Sequence, residues 1–527
     1  MAAPANLDAF IKREDFYAES PKPGEEFSPV EIGVIDLQAS TLAPLLRKPD
    51  FQRTTAAWTP ERIKDFIKSF VDGDLIPAVI FWSSKTGNIV VVDGAHRLSA
   101  LLAWIHDDYG DKDISRAFQG HYSDSDQDAA AVATRILVNK KVGPFKWLMD
   151  AVEKPDASEE EKTRSRKLRR RKIKVQWIEG DAEKAEDSFY RINLNSVRID
   201  RTELYLIRNR EKPLAIATRA IVQHGDGHPY WDKFTAKEAE DTITIAKELH
   251  ALLFSPPYKE PIETTDLPIA GKAYAGGSME LILNLLEYSN KGRVQTGTTG
   301  ENTVAALQRM WGVISLLTGR DNHSLGLHPA IYFYNHGTGA PQAEALMSVV
   351  RWITDLKERQ WLPAFTKCRR SFEEFLLLNS HVVSAIIQKK GTRMRGVPTI
   401  ISFYDLVLRE LMDAADFTRI FRKLNADPSL KSFIAPPDDH REYSREISDT
   451  VKSSVFLREA LKGGLMCTIC GARYRAGAFN WDHIIEASKD GRGDPHNIQQ
   501  THPYCNSGKE GLIATITKHR ERTGERL

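Results

Sequence analysis

The residues best equipped for chemistry crowd one stretch near the C-terminus, Cys467 to Glu510, which holds three of the chain's four cysteines. Cys467 and Cys470 form C-x-x-C, and His502 and Cys505 form H-x-x-C. Two such knuckles supply four soft or borderline donors, the set that closes a tetrahedral structural zinc site. A zinc ion would hold together a segment too short to bury much core of its own. The competing reading is a redox C-x-x-C. The second knuckle argues against it, as does the lack of a thioredoxin-like strand and helix around the first.

A second set of groups stands between the knuckles. FNWDHII reads as a short strand centred on Asp482 and His483, and SKDGRGDPHN reads as a loop. The segment from Gln499 is expected to begin a helix carrying Asn506. Asp482 is a hard oxygen donor suited to Mg²⁺ or Mn²⁺, and Asn506 adds a second oxygen. The His483 imidazole can accept a proton from water near neutral pH. Asn497 can bond backbone or imidazole and fix an orientation. Phosphodiester hydrolysis asks for an activated water and a cation to absorb developing charge, and one histidine with one metal ion supplies both. The bland alternative is a zinc-stapled DNA-binding knuckle without catalysis, which would not need Asp482, His483 and Asn506 together.

This stretch resembles the HNH endonucleases. D-H-I, then Asn497, then the closing C-N-x-x-K of Cys505, Asn506 and Lys509 carry the likeness, with VFLREALKGG as the preceding helix. The resemblance implies a ββα-metal fold, with His483 as general base, Asp482 and Asn506 as divalent-metal ligands, Asn497 as orienter and Lys509 on a phosphate. His502 departs from the commonest second knuckle, which uses cysteine; histidine binds zinc equally well.

A further constellation lies near the other end. The apolar run IVVV reads as a buried strand that delivers Asp93-Gly94-Ala95-His96-Arg97 to a helix start. Glycine allows close backbone approach, the helix start offers free N–H groups, and Arg97 presents a fork of donors, so the string could seat a phosphate. His96 could donate a hydrogen bond or move a proton. Taken alone, the string is weak evidence, and a turn with a helix N-cap and a surface arginine is the preferred reading. The segments around it read clearly. VEIGVIDL alternates like a strand, and IPAVIFW is an apolar strand. TPERIKDFIKSFVDGD has Thr59 as N-cap, Pro60 in the first turn and Ile63, Phe66, Ile67 and Phe70 on one helical face.

The order of these segments resembles the N-terminal domain of GmrSD-type restriction proteins, within the ParB/sulfiredoxin-like superfamily. One box is Phe51, Gln52, Arg53 and Trp58; a second is Asp93, Gly94, His96, Arg97 and Leu98, with Ala95 where the family has glutamine. A third is Phe189, Arg191, Asn193, Glu203 and Leu204. The resemblance implies a nucleotide site that includes Gln52, Arg53, Asp93, Gly94, His96, Arg97 and Asn193. In several relatives it implies nucleoside triphosphate hydrolysis coupled to nuclease control.

KTRSRKLRRRKIKVQWI, between the second and third boxes, is densely basic. Arg169, Arg170 and Arg171 could meet nucleic acid, or form a solvated helix face paired with the acidic ASEEEK before it. KIKVQWI alternates and reads as a strand. From about 211 to 435 the apolar spacing is helical, as in SMELILNLLEYS and SFEEFLLLNSHVVSAIIQKK.

The expected organisation is a polar, surface-wrapping extension over 1–28, an α/β ParB-like domain over 29–210 and an all-α lobe over 211–435. A linker over 436–450 and a zinc-stapled HNH domain over 451–527 complete a multidomain α+β chain. The chain has 527 residues and a net charge of +2, which says little about partners. The opening MAAPANLDAFIKRED is no secretory signal, and no apolar run is long enough to span a bilayer. Four cysteines make no disulfide framework, which points to a reducing cytoplasm. The functional expectation is a DNA endonuclease of prokaryotic defence against phage or modified DNA, regulated by an N-terminal domain that binds or hydrolyses a nucleotide or senses a DNA modification; homo-oligomerisation is left open. The competing expectations are a DNA-binding nucleotide switch that does not cut, and an N-terminal NTPase for which the HNH domain is only a partner.

Overall fold

The structure is a computed structural model that describes residues 5–14, 29–38, 42–49, 58–119, 125–196, 201–225, 230–273, 277–293, 296–319, 321–391, 394–435, 447–475, 478–493 and 496–523. The chain is mixed α/β and mostly helical. It divides into two compact units, Met1–Arg210 with Asp226–Tyr230, and Glu211–Gly225 with Trp231–Leu527.

Among its described residues the first unit holds one six-stranded sheet, ordered β1-β3-β5-β4-β6-β2. The strands are β1 (Lys12–Glu14), β2 (Glu31–Gly33), β3 (Leu46–Pro49), β4 (Val79–Ser83), β5 (Ile89–Asp93) and β6 (Lys172–Ile178). β5 runs antiparallel to β4 and parallel to β3. It is buried on both faces, which explains its unbroken apolar run. Val91 packs with Ile63, Ile67 and Phe70 on one side, while Val90 and Val92 pack with Phe189 and Ile207 on the other. The Pro60–Asp72 helix starts as the sequence reads, with the Thr59 hydroxyl accepting the Arg62 N–H at 3.4 Å.

Two sequence expectations change here. VEIGVIDL is strand only over β2, then turns into a helix, Val34–Gln38. Asp36 accepts the Gly33 N–H at 2.7 Å, so a local side-chain bond replaces the ladder bond that an extended chain would need. The start of the surface-wrapping extension is also not a wrap. Ala5, Leu7 and Ile11 are buried, and β1 forms the sheet edge beside β3. Asp8 there ties Arg13 (2.9 Å) and Lys48 (2.5 Å) in a buried cluster. Three charges this deep are tolerable because each meets an opposite partner.

The second unit is built of helices, among them Pro213–Val222, Ala236–Phe254, Thr299–Thr318, Ala343–Glu358, Leu362–Leu378 and Val397–Met412. Capping boxes start two of them, at Thr235 with Glu238 and at Thr298 with Glu301. Trp352, Phe365, Phe372 and Tyr404 pack ring to ring at 5.1 to 5.8 Å around the Leu362–Leu378 helix. The chain then closes with the Asp449–Ala460 helix, the antiparallel hairpin β7 (Asn480–His483) and β8 (Ile498–Thr501), and helices Pro503–Ser507 and Lys509–Thr523. The segment from Gln499 is therefore strand first, not helix. Gln499 pairs with Asp482 across the hairpin, and the helix waits for Pro503 in its first turn.

Candidate metal centre and nuclease site

The two knuckles meet. Cys467, Cys470, His502 and Cys505 are all buried, and their donor atoms lie within 4.8 Å of one another. His502 Nδ1 is 3.4 Å from Cys470 Sγ and 3.9 Å from Cys505 Sγ. Ligand bonds of about 2.0 to 2.3 Å in a tetrahedron give edges of roughly 3.5 to 3.8 Å, so the cluster has the dimensions of a zinc site. His502 Nε2 donates to the Arg473 carbonyl at 3.2 Å, which leaves Nδ1 as the free acceptor facing the sulfurs. Hydrogen bonds from Cys470 and Cys505 hold the Cys467 thiol well below its ordinary range, and donating to Cys467 pushes Cys505 well above its own. The donors fit zinc.

The surrounding core is small: Ile469, Ala472, Tyr474, Leu512 and Ile516 around the three cysteines. So few apolar side chains would hold this segment poorly without a metal staple.

Asp482 and His483 sit together at the end of β7 but face opposite ways, because successive side chains of a strand alternate. Asp482, only 9% exposed, receives Gln499 Nε2 at 2.7 Å and Lys509 Nζ at 3.1 Å. Lys509 also donates to the carbonyls of His483 and Ile484. It is seated on the carboxylate, where the sequence reading had a phosphate contact. The ammonium neutralises the carboxylate in this arrangement. His483 is half-buried, and a Cβ added at Gly493 would lie 4.0 Å from its Nε2.

Asn497 is buried and acts on backbone rather than on the imidazole. Its side chain accepts the Ile485 N–H at 2.8 Å and donates to Ile485 O at 3.0 Å and to Arg492 O at 2.7 Å. It thereby clamps the loop that leaves the end of β7. Asn506 is half-buried in the Pro503–Ser507 helix, one residue beyond Cys505, and its N–H bonds His502 O at 3.0 Å. The sequence reading missed Gln499. Counting the antiparallel register back from Thr501 against Asn480 would have put it opposite Asp482.

In the first unit, β5 ends at Asp93 and Gly94 takes φ +102°. A Cβ there would lie 2.6 Å from Val79 Cγ1, so both conformation and space demand glycine. Arg97 turns inward, 2.6 Å from Asp93 and bonded to the carbonyls of Pro77 and Ala78. His96 stacks on Trp58 with ring centroids 5.7 Å apart, and Arg62 lies 5.0 Å over the same indole. The first and second sequence boxes therefore meet through Trp58 and His96. Gln52 and Arg53 lie outside the described residues. Asn193 lies in the Ala182–Ser196 helix. In the basic run, Arg169 bonds Met149 O and Glu153, Arg171 bonds Asp74 O, and Arg170 is exposed.

Residues 34–210 match the family model described as GmrSD restriction endonuclease, N-terminal domain, and residues 467–511 match that of the HNH endonuclease. The first match ends where the first unit's main segment ends, and the second opens on Cys467 and runs just past Lys509. No curated protein and no solved structure matches the chain. Among the described residues no helix is long and apolar enough to cross a membrane. The two matches support a restriction-like nuclease with DNA as its partner. This chain joins a GmrSD restriction endonuclease N-terminal domain to a C-terminal HNH endonuclease domain whose Cys₃His cluster fits zinc.

Proposed function

We propose that the chain is a metal-dependent DNA endonuclease of a prokaryotic defence system, whose cutting is regulated by a nucleotide or a DNA modification sensed in the first unit. The carrying observation is the strand end at Asp482 and His483, framed by the Cys₃His cluster and presented in a chain with a GmrSD-type N-terminal domain. His483 takes a proton from the attacking water. Asp482 and Asn506 offer oxygen donors to a divalent cation, Mg²⁺ or Mn²⁺, which supplies charge stabilisation at the scissile phosphate when bound. Because Asp482 and His483 face opposite ways, the phosphate straddles the end of β7. Asn497 keeps that end in place by clamping the loop behind it. In the first unit, the Asp93–Arg97 loop is the proposed nucleotide site, with Gly94 giving close backbone approach and Gln52, Arg53 and Asn193 as further contacts.

The test is plasmid cleavage with Mg²⁺ or Mn²⁺, across modified and unmodified DNA, with and without each nucleoside triphosphate. Cleavage by wild type that His483→Ala loses supports the reading; equal activity of the two, or none under any condition, overturns it. The ion pair between Lys509 and Asp482 favours one second reading, a non-cleaving nucleotide switch whose strand end is neutralised by the chain itself. Salt-dependent DNA binding without metal-dependent cleavage would select it.

A further inference from the structure

The Leu362–Leu378 helix carries an ion pair, Arg369 with Glu373, whose side chains are 1% and 0% exposed. Its hydrogen bonds converge on one residue of the first knuckle. Arg369 Nε donates to Glu373 Oε1 at 2.8 Å, and Glu373 Oε2 accepts the Arg473 N–H at 3.0 Å. The rest of the guanidinium is spent on the carbonyls of Leu325 (2.6 Å), Gly326 (3.2 Å) and Arg473 (3.4 Å). Tyr332 donates to Glu373 Oε1 at 3.1 Å. Both backbone groups of Arg473 are thus held by this pair, and the same Arg473 carbonyl receives His502 Nε2. The loop before the short Pro329–Tyr332 helix grips the second knuckle as well. Tyr504 N–H donates to Ser324 O at 3.0 Å, and Gly326 lies against the imidazole, where a Cβ would be 3.2 Å from His502 Cδ2.

A buried ion pair is weak as a general stabiliser, because desolvation offsets most of the attraction. Its value here is geometric. We infer that Arg369 and Glu373 are positioning residues of the metal centre: by fixing Arg473 they set the tautomer and orientation of His502 toward the three cysteines. This rests on reading the Cys₃His cluster as a zinc site. Groups that orient a metal's histidine ligand commonly matter tenfold to a hundredfold in affinity. The helices before the knuckles therefore complete the metal centre and do not merely tether it. The contacts also continue. His502 directly follows β8, and β8 holds Asp482 through Gln499. The Leu362–Leu378 helix is thereby linked to the proposed cutting strand by an unbroken series of bonds.

The test uses the full chain loaded with zinc, and reads zinc transfer to a chromogenic chelator, the absorption spectrum after Co²⁺ substitution, and thermal melting. Glu373→Gln keeps the shape but has one oxygen where two are used, so it cannot accept from both Arg369 and the Arg473 N–H, and Arg369→Met with Glu373→Leu removes both charges together. Zinc should leave each variant about 10 to 100 times faster, with shifted Co²⁺ bands, while the helical melting transition persists. Release within about twofold of wild type and an unchanged spectrum in a folded variant would overturn the inference. A measurement on wild type needs no variant: after zinc is stripped, the Arg473 amide should stay protected from hydrogen exchange, because its acceptor is Glu373 and not a metal ligand, and loss of that protection would overturn the inference. None of these readouts involves DNA, so failure of the nuclease reading is seen separately, in the cleavage assay. A wild-type chain that takes up no zinc would instead overturn the zinc reading itself.

Discussion

Lys509 Nζ lies 3.1 Å from Asp482 Oδ2, and both side chains are nearly enclosed, at 12% and 10% exposure. A divalent cation at the proposed site on Asp482 would compete with this ammonium for the carboxylate. The chain thus carries its own competitor for the proposed metal site, held one helix away from the strand end.

Lys509→Met should therefore lower the Mg²⁺ concentration that gives half-maximal cleavage. An exposed pair would shift it about fivefold; this pair is nearly enclosed, so the shift should be at least about tenfold. A magnesium titration of plasmid cleavage reads it. An unchanged or higher requirement would mean that the lysine leaves the carboxylate freely or serves the phosphate instead.

His483→Ala should reduce cleavage by about 10² to 10⁴, the usual worth of a positioned base. Zinc content should stay at the wild-type value, because His483 belongs to the strand end and not to the Cys₃His cluster. Cleavage rate and metal analysis on the same preparation check both halves. Loss of zinc along with activity would contradict the separation of the two sites.

Cys470→Ser should abolish stoichiometric zinc, expected at one ion per chain, and expose the small core around Ile469, Tyr474 and Leu512. Limited proteolysis should then cut between Cys467 and Cys505 while fragments of the first unit persist. Protection equal to wild type would show that apolar packing suffices without metal.

Gly94→Ala should cost about 2 kcal/mol, because alanine is strained at φ +102° and its methyl would meet Val79 Cγ1 at 2.6 Å. Denaturant unfolding of the full chain reads the loss in the transition of the first unit. A change under about 0.5 kcal/mol would mean that the loop relaxes without difficulty.

The second unit should lose stability as pH falls below about 6.5. Burial holds His250 down to about 4, and the neighbouring His224 adds to this, while the hydrogen bond to the Ile221 carbonyl works against it. The unfolded chain then binds a proton that the folded chain refuses, so stability rises with pH across the window from about 4 to 6.5. The loss reaches roughly 3 kcal/mol at its acid end. His328, buried in the same unit and held down to about 3, adds to the same slope, so His250→Phe should lower the slope without abolishing it in urea melts taken at several pH values; a parallel slope would assign the effect elsewhere.

Local chemistry was legible without coordinates. The knuckle spacing named Cys467, Cys470, His502 and Cys505, and the structure gathers all four. The run IVVV and the Thr59–Pro60 start gave a strand and a helix where they stand, because a buried strand and a capped helix are written in nearest-neighbour residue types. VEIGVIDL misled because Asp36 bonds Gly33, a choice between two local bonds that alternation does not report.

What tertiary structure decided was the direction of long-range polar groups. Glu373 meets Arg473 across 100 residues of sequence, Gln499 meets Asp482 only through hairpin register, and Lys509 turns to a carboxylate and not to solvent. Donor types and spacing determine which atoms can bind a metal. They do not determine which buried charge will find which carbonyl, because that depends on how helices and strands distant in the chain pack, and packing is satisfied by shape and by the whole set of buried hydrogen bonds at once.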